Sequence, residues 1–233
     1  LAPSLDTCGY FARDVQTFAR VSSVLLGADS RALPDKVRLL MPSDIWALLD
    51  ADVVAAQAVP LARVEAALGK AQATHVVLDD LDTMYWHFRY IQGREAWTVN
   101  GPLIERFCPP LGPGVAERFD WSRRVTDAQW AMATSYRERF KKHLADLLGA
   151  DGVLVLPTLP DIAPLRIENG DTLESYRNRS IQMLCIAGLS GFPQISMPLG
   201  QRLGAPLGLS LLGPDGSDLS LVRLAQRVAA QVS

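Results

Sequence analysis

Apolar positions along this chain recur at two spacings, one helical and one strand-like. Helical spacing runs from the cap Asp14 to Leu26, with Val15, Phe18, Val21, Val24 and Leu25 on or near one face and Gly27 as the stop. Ser43 caps a second helix that buries Ile45, Trp46, Leu48 and Leu49, and Pro60 opens another over Leu61–Leu68, closed by Gly69. Thr126 opens the longest helix, which ends near Leu148 before Gly149. Later helices are expected over Leu173–Ala187, stopping at Gly188, and from Ser217-Asp218 to about Ala230. Short apolar runs bounded by Gly and Pro mark strands at Lys36–Met41, His75–Leu78, Val153–Leu156, Gln194–Leu199 and Leu207–Leu212. Gly204 supplies a positive-φ turn between the last two. Between Asp80 and Arg106, Gly93 and Gly101-Pro102 predict a helix, a break and a helix, and Pro109–Gly114 is the best internal boundary. Residues Pro157–Asp171 read as a loop. Strands alternating with helices predict an α/β fold with a central sheet.

Composition narrows the class without naming a function. The 233 residues suffice for a substantial core, and 48% hydrophobic with 21% charged residues are ordinary globular values that exclude disorder. A net charge of −2 offers no footprint for nucleic acid or an anionic membrane. No apolar run approaches the ~20 residues of a membrane span. Cys8, Cys108 and Cys185 are far apart and form no C-x-x-C pair, which suggests reduced cytoplasmic thiols rather than a disulfide framework. Cys185 falls on an apolar helix face and reads as core.

Groups able to do chemistry are sparse. Ser22-Ser23 lies in a helix with no base or oxyanion donors in view and reads as a pair of helix-surface serines. His75, His87 and His143 have no metal-ligand spacing, and His143 is expected to be solvated. Asp79-Asp80-Leu81-Asp82 suits helix capping better than calcium. Gly112-Pro113-Gly114 and Gly213–Gly216 lack the context of a phosphate loop and are turns. Pro157-Thr158 closes a central strand, where open α/β sheets place ligands, and Thr158 is the best single contact.

A family resemblance rests on three blocks in order. The run AGLSGFPQISMPLG, then APLGLSLLGPDGSD and an amphipathic helix, resembles the C-terminal block of the amidase signature enzymes. The form SGFPQISMPLG is most similar to the plant-type indole-3-acetamide hydrolases and their bacterial relatives. SLDTCGYFARDV at Ser4–Val15 resembles the segment just after the family's catalytic core, and ADGVLVLPTLPDIAP at Ala150–Pro164 resembles its late strand ending in Pro-Thr.

The resemblance implies a mixed sheet covered by helices, with residues 1–233 forming the C-terminal portion of a single amidase-like domain. The family's Lys, its bridging Ser in a cis peptide and its nucleophilic Ser would precede Ser4–Val15, so the catalytic segment is expected outside this chain, which would hold no catalytic residue. It further implies hydrolysis of a small-molecule carboxylic amide to an acid and ammonia or an amine, with no metal or organic cofactor. An aromatic acetamide is favoured by the subfamily-like block and the aromatic stretch Tyr85–Trp97. Candidate pocket residues are Thr158, Trp97, Ser190 and Phe192, with Ser196 as a neighbour and Tyr90 and Phe88 behind Trp97. The expected partner is the missing N-terminal half; a homodimer stays open. Three alternatives stand: a glutaminase subunit of a tRNA-dependent amidotransferase, a non-catalytic receptor module, and a fragment with no role of its own. Alone, the chain is expected to expose apolar surface and an unpaired strand edge, and to aggregate.

Overall fold

Side-chain caps predicted from sequence open three of the main helices. The computed structural model describes residues 1–168 and 170–232; Asn169, inside the loop expected before Asp171, and Ser233 lie outside them. Asp14 accepts from the backbone N–H of Thr17 to start α1 (Val15–Leu25). Then come β1 (Arg38–Pro42), α2 (Ser43–Trp46), α3 (Ala51–Leu68) and β2 (Gln72–Thr74). Asp80 caps α4 (Leu81–Phe107), and α5 (Val115–Ser122) follows the Pro/Gly connector. Thr126 and Gln129 form a reciprocal capping box at α6 (Asp127–Leu148). The chain closes with β3 (Gly152–Pro157), α7 (Gly170–Ser190), β4 (Gln194–Arg202), β5 (Ala205–Leu212) and α8 (Asp218–Ala229).

The strands form one mixed sheet in the order β2-β1-β3-β5-β4. β1 is parallel to both β2 and β3, whereas β5 is antiparallel to β3 and β4. β3 is buried along all six residues, with α2 and α6 packed against it, and Trp46 of α2 donates its indole N–H to Val155 O at 3.0 Å. The core runs from Leu39 and Ile45 through Tyr136, Phe140 and Leu144 to Leu209, Leu211 and Leu224. β4 and β5 extend further toward each other than expected, because Leu203 (φ 50°) and Gly204 (φ 79°) close a two-residue turn between paired Arg202 and Ala205. β4 is an edge strand, and its register shifts between Met197 and Gly200, around Pro198.

Several expectations are corrected. Pro60 lies inside α3 instead of opening a helix, with its ring packed where a Cβ on Gly200 would stand 2.9 Å from Cγ. The second strand is Gln72–Thr74, not His75–Leu78, because Asp44 takes the N–H groups of Val76 and Val77 at 2.8 and 2.7 Å. Ser43 caps no helix; its hydroxyl goes to Thr74 O. The expected break in α4 is absent, so at 27 residues α4 exceeds the 22 of α6 as the longest helix. Gly93 and Gly101 serve there as close-approach sites: a Cβ would stand 2.5 Å from Trp121 and 2.7 Å from Trp97. α7 continues through Gly188 to Ser190, with Gly191 (φ 71°) next. Ser22 is buried, not a surface residue, since its hydroxyl donates to Phe18 O and accepts from Tyr10. His143 is not fully solvated, its Nε2 being buried. The outer side of α1 is open, with Val24 82% and nearby Phe11 fully exposed. The three cysteines are free and Cys185 is buried, where loss of solvation pushes its thiol well above the ordinary value. No described helix is long and apolar enough to cross a membrane.

Candidate functional site

Three hydroxyls meet at the C-terminal end of β3. Thr158 follows the strand directly, and its Oγ1 lies 2.7 Å from Ser196 Oγ on β4 and 2.8 Å from Ser210 Oγ on β5. Ser196 and Ser210 are paired across the β4–β5 ladder, so the pleat turns both to the same face. Ser210 is fully buried while Ser196 is exposed, so the line runs from the core to the surface. Three hydroxyl protons serve two hydrogen bonds, which leaves one proton to offer outward. Oriented from Ser210 toward Ser196, the line presents a donor suited to a carbonyl oxygen.

Two residues make room for this line and hold it. Thr158 lies beside Gly208, where a Cβ would come within 2.6 Å of Thr158 Oγ1 and 3.1 Å of Ser196 Oγ. Gly208 O accepts from Thr158 N at 3.2 Å and from Gln57 Nε2 at 3.0 Å. Gln57, on α3, is fully buried, and its Oε1 has no partner among the described residues. The loop beyond Thr158 is tied down by Asp161, which takes both carboxylate contacts from Arg202 Nη1 at 3.0 and 2.8 Å; Arg202 also pairs with Asp52 on α3. These bonds raise the Arg202 guanidinium above its ordinary range and hold the Asp52 carboxyl below its own.

The other sequence-derived candidates lie elsewhere. Phe192 is 4% exposed and borders a cleft of about 690 Å³ shared with Phe88, Tyr10 and Ile195. That cleft opens at the start of β4, whereas Thr158 lies four residues past the Leu154–Leu212–Gln194 row, about 13 Å along the strands. Ser190 is buried and spends its hydroxyl on Ile186 O at 2.7 Å while accepting from Phe192 N at 3.2 Å, a lock at the end of α7. Trp97 is half-buried over Gly101 of its own helix and borders neither this cleft nor the hydroxyl line. Tyr90 is absorbed into a stack with Trp86 and Trp121. Thr158 and its neighbour Ser196 are therefore together, while Trp97, Ser190 and Phe192 stand apart. Among the described residues no cluster of three or more His, Cys, Asp or Glu is placed to hold a metal.

This architecture has known counterparts. The model of the amidase family matches residues 99–222, more than half of the chain. The chain belongs to the amidase family. It is 30% identical to Amidase 1 of Arabidopsis thaliana over 99% of this chain and 61% of that protein. Outer envelope protein 64 of the A. thaliana chloroplast is 25% identical over 97% of this chain and 43% of its own length. A solved structure of an amidase, at 20% identity, superposes with a TM-score of 0.80 over 94% of this chain and 51% of its own. The chain thus spans about three fifths of the curated relative it matches at 30%. The matched region covers β3, β4 and β5, and so all three hydroxyls.

Ser210, Gly208 and Gln57 are site residues that sequence reasoning missed. A signal existed for the first two, since a Ser and a Gly inside the apolar run PLGLSLL interrupt an otherwise buried strand. Gln57 carried none, being one polar residue in an Ala/Val-rich helix.

Proposed function

We propose that this chain is the C-terminal part of an amidase that hydrolyses a small-molecule carboxylic amide, with an aromatic acetamide as the favoured substrate. The observation that carries this reading is the hydroxyl line Ser210–Thr158–Ser196 at the end of the central strand of an amidase-family chain. A Lys relaying a proton through a bridging Ser to a nucleophilic Ser would lie in a segment outside this chain. That serine attacks the amide carbon, the leaving nitrogen departs as ammonia or an amine, and water then releases the acid from the acyl-enzyme. In this reading Thr158 and Ser196 form one wall beside the reacting amide, and the complementary N-terminal half packs along β4. A cytoplasmic location and the absence of a cofactor belong to the same proposal.

A second reading, a non-catalytic interaction module, is favoured by relatives whose names are those of a chloroplast outer-envelope protein and a chloroplast outer-membrane translocon protein. One assay separates the two. Ammonia release from phenylacetamide is followed for this chain and for the longest polypeptide in which it occurs, each as wild type and as Thr158→Val. Turnover by the longer protein alone, reduced at least ~10-fold by Thr158→Val, is the expected result. Turnover by this chain alone would overturn the placement of the catalytic groups. Inactivity of both across a panel of amides would favour the interaction module.

A further inference from the structure

Arg89 on α4, Arg118 on α5 and Arg177 on α7 converge on a second cleft, of about 370 Å³, that shares no lining residue with the hydroxyl line. Its apolar walls include Ala96, Val115, Phe119 and Ile181, and no described Asp or Glu lines it. Arg177 is paired with Glu174 at 3.0 Å. Arg89 and Arg118 have no ion-pair partner among the described residues, and Arg89 Nε is buried without a hydrogen-bond acceptor. A buried guanidinium N–H without an acceptor is costly and is relieved by an anion.

The cleft is also rigid where the charge sits. The Arg89 guanidinium lies 5.1 Å over the ring of Trp121 and 5.9 Å from that of Tyr85. Trp121 is itself stacked against Tyr90 at 6.2 Å and 14°, and it approaches the α4 backbone at Gly93, where a Cβ would stand 2.5 Å from its ring. The guanidinium plane is thus held in advance, with its N–H groups free to fork onto a carboxylate. A slot of this size, apolar with a few convergent cations, suits one planar ring bearing one acid group.

We propose that this cleft binds a small aromatic carboxylate, its ring against Phe119, Val115 and Ile181 and its carboxylate on Arg89 and Arg118. The proposal does not depend on amide hydrolysis, and its test involves no turnover. Isothermal titration of the intact chain with naphthalene-2-carboxylate is compared with the neutral naphthalene-2-carboxamide. The acid is expected to bind at least ~10-fold more tightly, the scale of a charge-assisted hydrogen bond. Arg118 is exposed, so Arg118→Gln should weaken the acid about 5-fold or more without moving the thermal melt. Arg89→Lys keeps the charge but loses the fork, and should weaken the acid while leaving the amide unchanged. Equal binding of acid and amide, or an acid affinity untouched by Arg118→Gln, would overturn the proposal.

Discussion

Replacing Thr158 by Val tests the hydroxyl line as a structural unit. Valine keeps the shape of threonine but removes Oγ1, the partner of both Ser196 and Ser210. Ser196 is exposed, so its hydroxyl turns to water at little cost, whereas Ser210 is fully buried and is left unpaired. An orphaned buried hydroxyl costs ~1–3 kcal/mol. For a chain of this size, that lowers the melting temperature by roughly 2–12 °C. Ser210→Ala removes the buried hydroxyl itself and leaves Thr158 bonded to Ser196, so it should cost only ~0.5–1.5 kcal/mol. In the double variant the orphan no longer exists, and the two losses should fall short of additivity by ~1 kcal/mol or more. Urea unfolding of the intact chain, followed by circular dichroism, measures all four corners of the cycle. Additivity within ~0.3 kcal/mol would refute the claim that Ser210 depends on Thr158.

Gln57→Leu should change stability by less than ~1 kcal/mol, because the loss of one bond to Gly208 O is offset by removing the unpartnered Oε1; urea unfolding decides it. Gly93→Ala drives a Cβ into Trp121 at 2.5 Å and should cost ~1–3 kcal/mol, visible as a lower denaturation midpoint. His87 stacks on Tyr136 at 4.4 Å, and burial lowers its pKa against the opposing pull of Asp79, with Arg139 adding to the lowering. Its folded pKa therefore lies below the unfolded value of 6.5, so its contribution is intact above that pH and is lost as the pH falls through it. Melting curves between pH 7.5 and 5.5 should show this loss, and His87→Gln should flatten it.

The sequence revealed the sheet and the caps more fully than the site. Asp14, Asp80 and Thr126 act through short-range hydrogen bonds that depend only on neighbouring residues, so they could be read directly. Pro60 read as a helix start and Gly93 as a helix break because their distant contacts, β4 for Pro60 and Trp121 for Gly93, leave no local trace, while Gly101 makes room only for Trp97 one turn earlier in its own helix. His75–Leu78 failed as a strand for a similar reason, since its N–H groups are claimed by Asp44, 32 residues earlier for Val76. Thr158 was legible from its place at a strand end. Its union with Ser210 required the antiparallel register of β3 on β5, which no local pattern encodes.

The strand order also constrains how the molecule assembles. Arg38 on β1 forms an ion pair with Asp151, the residue just before β3, although the two lie 113 positions apart in the chain. The intervening helices α4 and α6 contact each other closely and can form early from mostly local interactions. β1, by contrast, gains β3 as a neighbour only after that whole helical insertion has been made, and β3 in turn waits for β5. During synthesis the most hydrophobic strand of the sheet therefore emerges before one of its two partners exists. Late sheet closure makes the interval between β3 and β5 the stage at which this chain is most exposed to misassembly.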